Sequence, residues 1–85
     1  MEILLIDDSS TMRRIQKNVL IQMGYAGEKI TEAEDGIDAF KKLKEKEFVM
    51  DLVLCDWNMP NMDGLTFVKK MQTFEQLKKI PIIMV

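Results

Sequence analysis

The stretch LVLCDWNMPNMDG, Leu52 to Gly64, runs from an uninterrupted apolar segment into one acid and then into a proline turn. Leu52, Val53, Leu54 and Cys55 show no alternation, which is the pattern of a strand buried on both faces, as in a parallel sheet. Asp56 ends the run, and Trp57-Asn58-Met59-Pro60 leads to a turn closing on Asp63-Gly64. Parallel strands point the same way, so their carboxyl ends line one edge of the sheet, where ligands bind. A carboxylate at that edge is a candidate for chemistry.

Working outward, the same pattern recurs. Ile3-Leu4-Leu5-Ile6 is a second such run and ends on Asp7-Asp8. Any of Ser9, Ser10 and Thr11 can cap a following helix. Met12, Ile15, Val19, Leu20 and Met23 form one helical stripe, and Gly24 closes it in a left-handed turn. Lys29 to Ala33 alternates like an edge strand. Asp35-Gly36 opens a second helix with Ile37, Phe40 and Leu43 inward and a lysine-glutamate outer face running to Glu47. Asp63 caps a third helix with Leu65, Val68, Met71 and Phe74 inward. Ile80 to Val85 is a last strand, with Pro81 tolerable near its start. The order β-α-β-α-β-α-β predicts an α/β fold with a parallel sheet and right-handed crossovers.

Composition narrows the function. Eighty-five residues make one small domain, 47% hydrophobic and 31% charged. A net charge of −2 argues against nucleic acid as a partner. No apolar run approaches the roughly 20 residues of a membrane helix. No signal peptide is expected; the single cysteine, Cys55, rules out an internal disulfide, fits a reducing compartment such as the expected cytoplasmic one, and is expected to be a buried, inert thiol. The chain has no histidine, which excludes His-metal sites and Ser-His or Cys-His catalysis.

The acids remain. If the first and third strands pair, about 4.8 Å apart, Asp7, Asp8 and Asp56 converge. Three carboxylates repel and either raise one another's pKa or recruit a cation. Mg²⁺ suits such oxygen ligands, and the main-chain carbonyl of Asn58 can add one more. Two chemistries stay open: a metal serving an outside substrate, or a carboxylate acting as nucleophile to form an acyl phosphate. The plainer alternative is that Asp8 caps the first helix and Asp56 is a polar strand end. Arg13 and Arg14 read as a solvated helix face within reach of a kinase, and Trp57 as a loop residue.

Four segments carry a family resemblance: LLIDDSSTMRRI (Leu4–Ile15), EAEDGIDA (Glu32–Ala39), LVLCDWNMPNMDGL (Leu52–Leu65) and IPIIMV (Ile80–Val85). Together they resemble the receiver domain of two-component response regulators, particularly the single-domain regulators of chemotaxis. The resemblance implies a flavodoxin-like, doubly wound parallel sheet and a phosphoacceptor signalling module rather than an enzyme in the usual sense, catalysing only its own phosphorylation and dephosphorylation. It implies that Asp56 accepts a phosphoryl group from a histidine kinase. Mg²⁺ would be held by Asp7, Asp8 (most directly), Asp56 and the Asn58 main-chain carbonyl. Gly64 would supply a backbone conformation that side chains disfavour. A downstream target such as a flagellar motor protein is implied for the chemotaxis type.

The family's sheet has five strands in order 2-1-3-4-5 and five helices. Residues 1–85 are therefore expected to be an incomplete, truncated receiver domain: four strands in order 2-1-3-4 and three helices, without the fifth strand and last two helices. The Thr or Ser and the Lys that contact the phosphoryl group in the family lie past Val85, so impaired switching is expected. Apolar positions of the third and fourth strands are expected to lie open, inviting a homo-oligomer or strand exchange through the fourth-strand edge. That makes an interaction or assembly fragment without phosphotransfer the alternative function. A hydrolase with an aspartyl nucleophile fits less well, because Asn58 stands where such enzymes carry a second acid.

Overall fold

The computed structural model describes residues 1–85. Four strands, β1 (Ile3–Ile6), β2 (Ile30–Ala33), β3 (Leu52–Cys55) and β4 (Ile82–Met84), alternate with three helices, α1 (Ser10–Gln22), α2 (Gly36–Glu45) and α3 (Gly64–Met71). The strands form one parallel sheet in the order β2-β1-β3-β4, as the sequence predicts. The chain moves from β1 to the edge at β2, then returns past β1 to β3 and on to β4. That reversal of direction, with right-handed crossovers, puts α1 on one face and α2 and α3 on the other. The point of reversal is the seam between β1 and β3.

β1 sits at the centre of this arrangement. Ile3, Leu4 and Leu5 have no exposed surface and Ile6 has 1%, the two-sided burial that its unbroken apolar run predicts. Leu4 and Ile6 join Val53, Cys55, Ala39, Leu43, Phe67, Met71 and Leu77 in the main core under α2 and α3. Ile3 and Leu5 face the other way, with Ile30, into a small cluster flanked by Leu20, Tyr25, Leu52 and Leu54.

Several inward positions differ from the sequence reading. α1 buries none of its residues fully, and Met12, Ile15, Val19 and Met23 are 44%, 49%, 48% and 66% exposed. The stripe has the expected spacing, but it meets the sheet only along one side and continues past it. In α2, Ala39 and Leu43 are buried and Phe40 is half-buried, while Ile37 is exposed. In α3, Phe67 and Met71 point inward, while Leu65 and Phe74 are exposed. The Asp63 cap and the inward Met71 are as expected, but the buried face runs through Phe67 rather than Leu65. Phe67 then stacks at a tilt on Phe40, with ring centroids 4.9 Å apart.

The boundaries also tighten. Lys29 belongs to a single 3-10 turn (Gly27–Lys29), not to β2. α2 stops at Glu45. β4 is confined to Ile82–Met84. Leu77 is fully buried from the segment between α3 and β4. Gly24 does take the left-handed conformation after α1, with φ +102°.

Of the apolar positions expected to lie open, Ile83 and Val85 are 52% and 57% exposed, whereas Leu52, Leu54, Ile82 and Met84 are half-buried. Ile15, Val19, Leu20, Leu54 and Val85 line a groove of about 230 Å³ between α1 and the sheet.

Full burial of a large apolar side chain stabilises by about 1.5–3 kcal/mol, and truncation adds a cavity cost. Phe67→Ala is therefore expected to destabilise the fold by about 3–5 kcal/mol in urea titration, whereas Leu65→Ala changes stability by less than about 1 kcal/mol.

Candidate functional site

The site is built by register. Ile6 lies opposite Ala33 on one side and Cys55 on the other. One residue further, the Asp7 amide donates to the Ala33 carbonyl (3.1 Å) and the Asp56 amide donates to the Ile6 carbonyl (2.9 Å). Backbone pairing thus fixes where both acids leave the sheet. Carboxylate oxygens of Asp7, Asp8 and Asp56 all lie within 4.8 Å of one another. Asp7 is buried, Asp56 half-buried and Asp8 exposed.

The environment of Asp7 disfavours its charge. Burial pushes its carboxyl above the ordinary carboxylate value, and the neighbouring charges of Asp56 and Asp8 push the same way. The Ser9 amide, donating to Asp7 Oδ1 at 2.9 Å, offsets part of this. An oxygen-only donor set with one buried, unfavourably charged member fits a hard divalent cation such as Mg²⁺.

The loop after Asp56 is held from three sides. The Asn58 amide donates to Asp56 Oδ1 (3.3 Å), which puts the Asn58 main chain against the cluster. Asn61 takes a left-handed φ of 68° and donates from Nδ2 to Asp35 Oδ2 (2.8 Å). The other oxygen of Asp35 caps α2 by accepting from the Asp38 amide (2.7 Å). These donors hold the Asp35 carboxyl below its ordinary value, the Asp38 amide first and the Asn61 side chain second. Asp63 caps α3 through the Thr66 amide (2.8 Å), and the Gly64 amide closes the loop on the Trp57 carbonyl (3.0 Å).

Three expectations change. Gly64 is not in a conformation reserved for glycine, since Gly24 is the glycine with positive φ. Its requirement is space: a Cβ there would collide with the Asp56 backbone carbonyl and lie 2.7 Å from the Met84 methyl. Asp8 does not cap α1; Ser9 does, accepting from the Met12 amide at 3.2 Å. Arg13 is not a solvated residue. Its side chain is 16% exposed, pairs with Glu32 at 3.2 Å and donates to the main-chain carbonyl of Asp7. Trp57 is exposed on its loop, as expected. Cys55 is buried, and burial followed by the Asp56 charge pushes its thiol up to about 12, which leaves it protonated and unreactive.

Arg13 and the Asp35–Asn61 bond escaped the sequence. An Asp before Gly36 marks a helix cap, but nothing local says that its second oxygen reaches a loop 26 residues away. Beside the acids, Asp8, Glu34, Asp35, Pro60 and Asn61 line a polar depression of about 190 Å³.

Residues 3–85 match the response regulator receiver domain family. The chain belongs to that family. It is 48% identical over all 85 residues to the chemotaxis protein CheY1 of Helicobacter pylori, of which it covers 66%. It is 45% identical to the chemotaxis protein CheY-3 of Vibrio cholerae, covering 62% of it. The signal receiver domain of a signal transduction histidine kinase from Syntrophus aciditrophicus superposes with a TM-score of 0.89 at 30% identity, over 99% of this chain and 60% of that one. The chain thus spans just under two-thirds of the length of the curated relatives it matches. By family it is a response regulator receiver sequence, and Asp7, Asp8 and Asp56 form its acidic cluster.

The two displaced carboxyls have opposite consequences for stability. The raised value of Asp7 means the folded state holds that proton more tightly, so its stabilising contribution is present below the ordinary value of 3.8 and is lost as pH rises through the folded value. The lowered value of Asp35 contributes above 3.8 and is lost as pH falls through its folded value. In chelator at pH 7, Asp7→Asn is therefore expected to raise the urea midpoint. Asp35→Ala is expected to lower stability by about 1 kcal/mol through the lost cap. Both differences shrink in titrations repeated at about pH 3.5.

Proposed function

We propose that this chain is a phosphoacceptor signalling module, accepting a phosphoryl group on Asp56 from a histidine kinase. The observation that carries the reading is the convergence of Asp7, Asp8 and Asp56 at the β1–β3 seam in a chain of this family. Asp56 is the half-buried member on the central loop and presents a carboxylate whose position is set by backbone pairing and by the Asn58 amide.

In the proposed step a carboxylate oxygen of Asp56 attacks the phosphorus of a phosphohistidine. A P–O bond forms, the P–N bond breaks, and the imidazole that leaves takes a proton from water. The product is an acyl phosphate on Asp56. Asp7, Asp8, Asp56 and the Asn58 main-chain carbonyl would hold Mg²⁺, which offsets charge on the transferring phosphoryl group. The chain's own residues set the geometry: the Ser9 amide orients Asp7, the Asn58 amide orients Asp56, and the Asp35–Asn61 bond holds the loop between them. The partial exposure of Asp56 leaves water a route to the acyl phosphate, in keeping with self-catalysed dephosphorylation.

The curated relatives are chemotaxis proteins, which supports a downstream target of the flagellar motor kind and a cytoplasmic setting. No helix is long and apolar enough to cross a membrane. The share of the relatives that is matched supports reading residues 1–85 as the N-terminal part of a receiver domain, with switching completed by elements outside it.

The protein incubated with acetyl phosphate and Mg²⁺ is expected to gain one hydroxylamine-labile phosphoryl group on Asp56. Asp56→Asn and chelator should each abolish it. Undiminished labelling of Asp56→Asn, read by mass spectrometry, would sink the assignment.

A second reading has its own observation. The groove between α1 and the sheet, together with the exposed Ile83 and Val85, leaves an apolar surface that suits self-association without phosphotransfer. Under this reading, light scattering at two concentrations tenfold apart should give a mass that falls on dilution. A monomer at both concentrations removes it.

A further inference from the structure

Arg13, on α1, makes two contacts with the sheet, at neighbouring strands. Its Nε pairs with Glu32 on the edge strand β2 at 3.2 Å, while a terminal guanidinium nitrogen donates to the main-chain carbonyl of Asp7. The Arg13 side chain is 16% exposed, while its partner Glu32 is 37% exposed, so the ion pair is open to water on the glutamate side. A planar guanidinium with several donors in a fixed fork can serve both acceptors at once; a lysine ammonium is a point charge on a flexible stem.

The position of these contacts matters more than their number. The Asp7 carbonyl belongs to the peptide that links Asp7 to Asp8, the first two acids of the cluster. That peptide lies just beyond the end of β1, where regular pairing stops with the Asp7 amide on Ala33. Past it, the Ser9 amide turns back to Asp7 Oδ1, and α1 begins at Ser10. The Asp7-Asp8 turn is thus held through its side chain by Ser9 and through its main chain by Arg13. Glu32 balances the Arg13 charge from outside the cluster and is shared with Lys17 at 3.7 Å.

We propose that Arg13 is a positioning residue for the acidic site, fixing the Asp7–Asp8 peptide so that both carboxylates face Asp56 in the arrangement a divalent cation requires. The proposal rests on the Mg²⁺ reading given above and deepens it. Arg13 acts on ligand geometry without touching the cation. Residues that orient metal-binding groups typically cost about 10–100-fold in affinity when replaced, and an arginine acting through one main-chain carbonyl belongs at the lower end.

The test is a Mg²⁺ titration of the full chain followed by Trp57 fluorescence, with far-ultraviolet circular dichroism as the check on folding. Arg13→Gln is expected to weaken Mg²⁺ binding about tenfold. Lys17→Gln removes the same unit of charge from the same glutamate while leaving Arg13 in place, and should stay within about twofold of the wild type. Arg13→Lys keeps the charge and loses the fork, so it should fall between the two. It also decides the matter if Arg13→Gln does not fold. Equal weakening in Lys17→Gln would reassign the effect to net charge and overturn the proposal, as would wild-type affinity in Arg13→Lys together with Arg13→Gln. A wild type with no saturable response overturns the Mg²⁺ reading itself, and this inference with it.

Discussion

Parallel pairing of β1 with β3, with Ile6 opposite Cys55, is the constraint on which the rest depends. It joins the strands on either side of the point where the chain reverses direction, and it stops one residue short of Asp7 and of Asp56. The hydrophobic effect supplies the pairing: Ile3 to Ile6 and their neighbours Val53 and Cys55 are driven out of water almost completely. The consequence is electrostatic. Three carboxylates that would otherwise separate are held within 4.8 Å because the strands beneath them have nowhere else to go. Strain of this kind, offset by a core, is what a functional site costs a fold.

The core that bears this cost is lopsided. The face under α2 and α3 carries a continuous cluster built around Phe67, Leu43 and Leu77, extended by Phe40. The face under α1 carries only Ile3, Leu5 and Ile30 as fully buried members, with Leu52 and Leu54 half-covered. The phosphoacceptor candidate stands on the seam between a well-packed face and an open one. The loop from Trp57 to Asp63 leans on the packed side, through Met59, which is buried, and through the Asp35–Asn61 bond to the start of α2. The Asp7-Asp8 turn leans the other way, toward α1 and Arg13. The two halves of the acidic site are therefore anchored toward opposite faces of the sheet and meet at the paired ends of β1 and β3.

Much of this was legible in the residues. The unbroken apolar runs, each ending on an acid, identify the strands and put Asp7, Asp8 and Asp56 on one edge. The Ser9-Ser10-Thr11 run, Asp35 and Asp63 announce three helix starts, with the structure choosing Ser9 among the first three, and Gly24 announces one helix end. These signals are local: a cap needs an acceptor within three residues, and a buried strand needs only its own apolar run. The order of the strands was legible only through the family resemblance, since right-handed crossovers by themselves allow several orders.

Tertiary structure decided what depends on distance along the chain. The inward faces of α1, α2 and α3 could not be phased from periodicity, since which side is buried depends on what packs there; Phe67 won over Leu65 because Phe40 and the sheet lie on its side. Gly64 looked like a conformational requirement and proved a steric one, set by the Asp56 carbonyl and Met84 closing in from other strands. Arg13 looked solvated because its partners, Glu32 and the Asp7 carbonyl, lie on separate strands. By itself the sequence determined the strands, the caps and the acids, because each is an energy settled among near neighbours. The folded chain alone determined which side chains are buried and which residues hold the acids in place, because those energies exist only once distant segments are packed together.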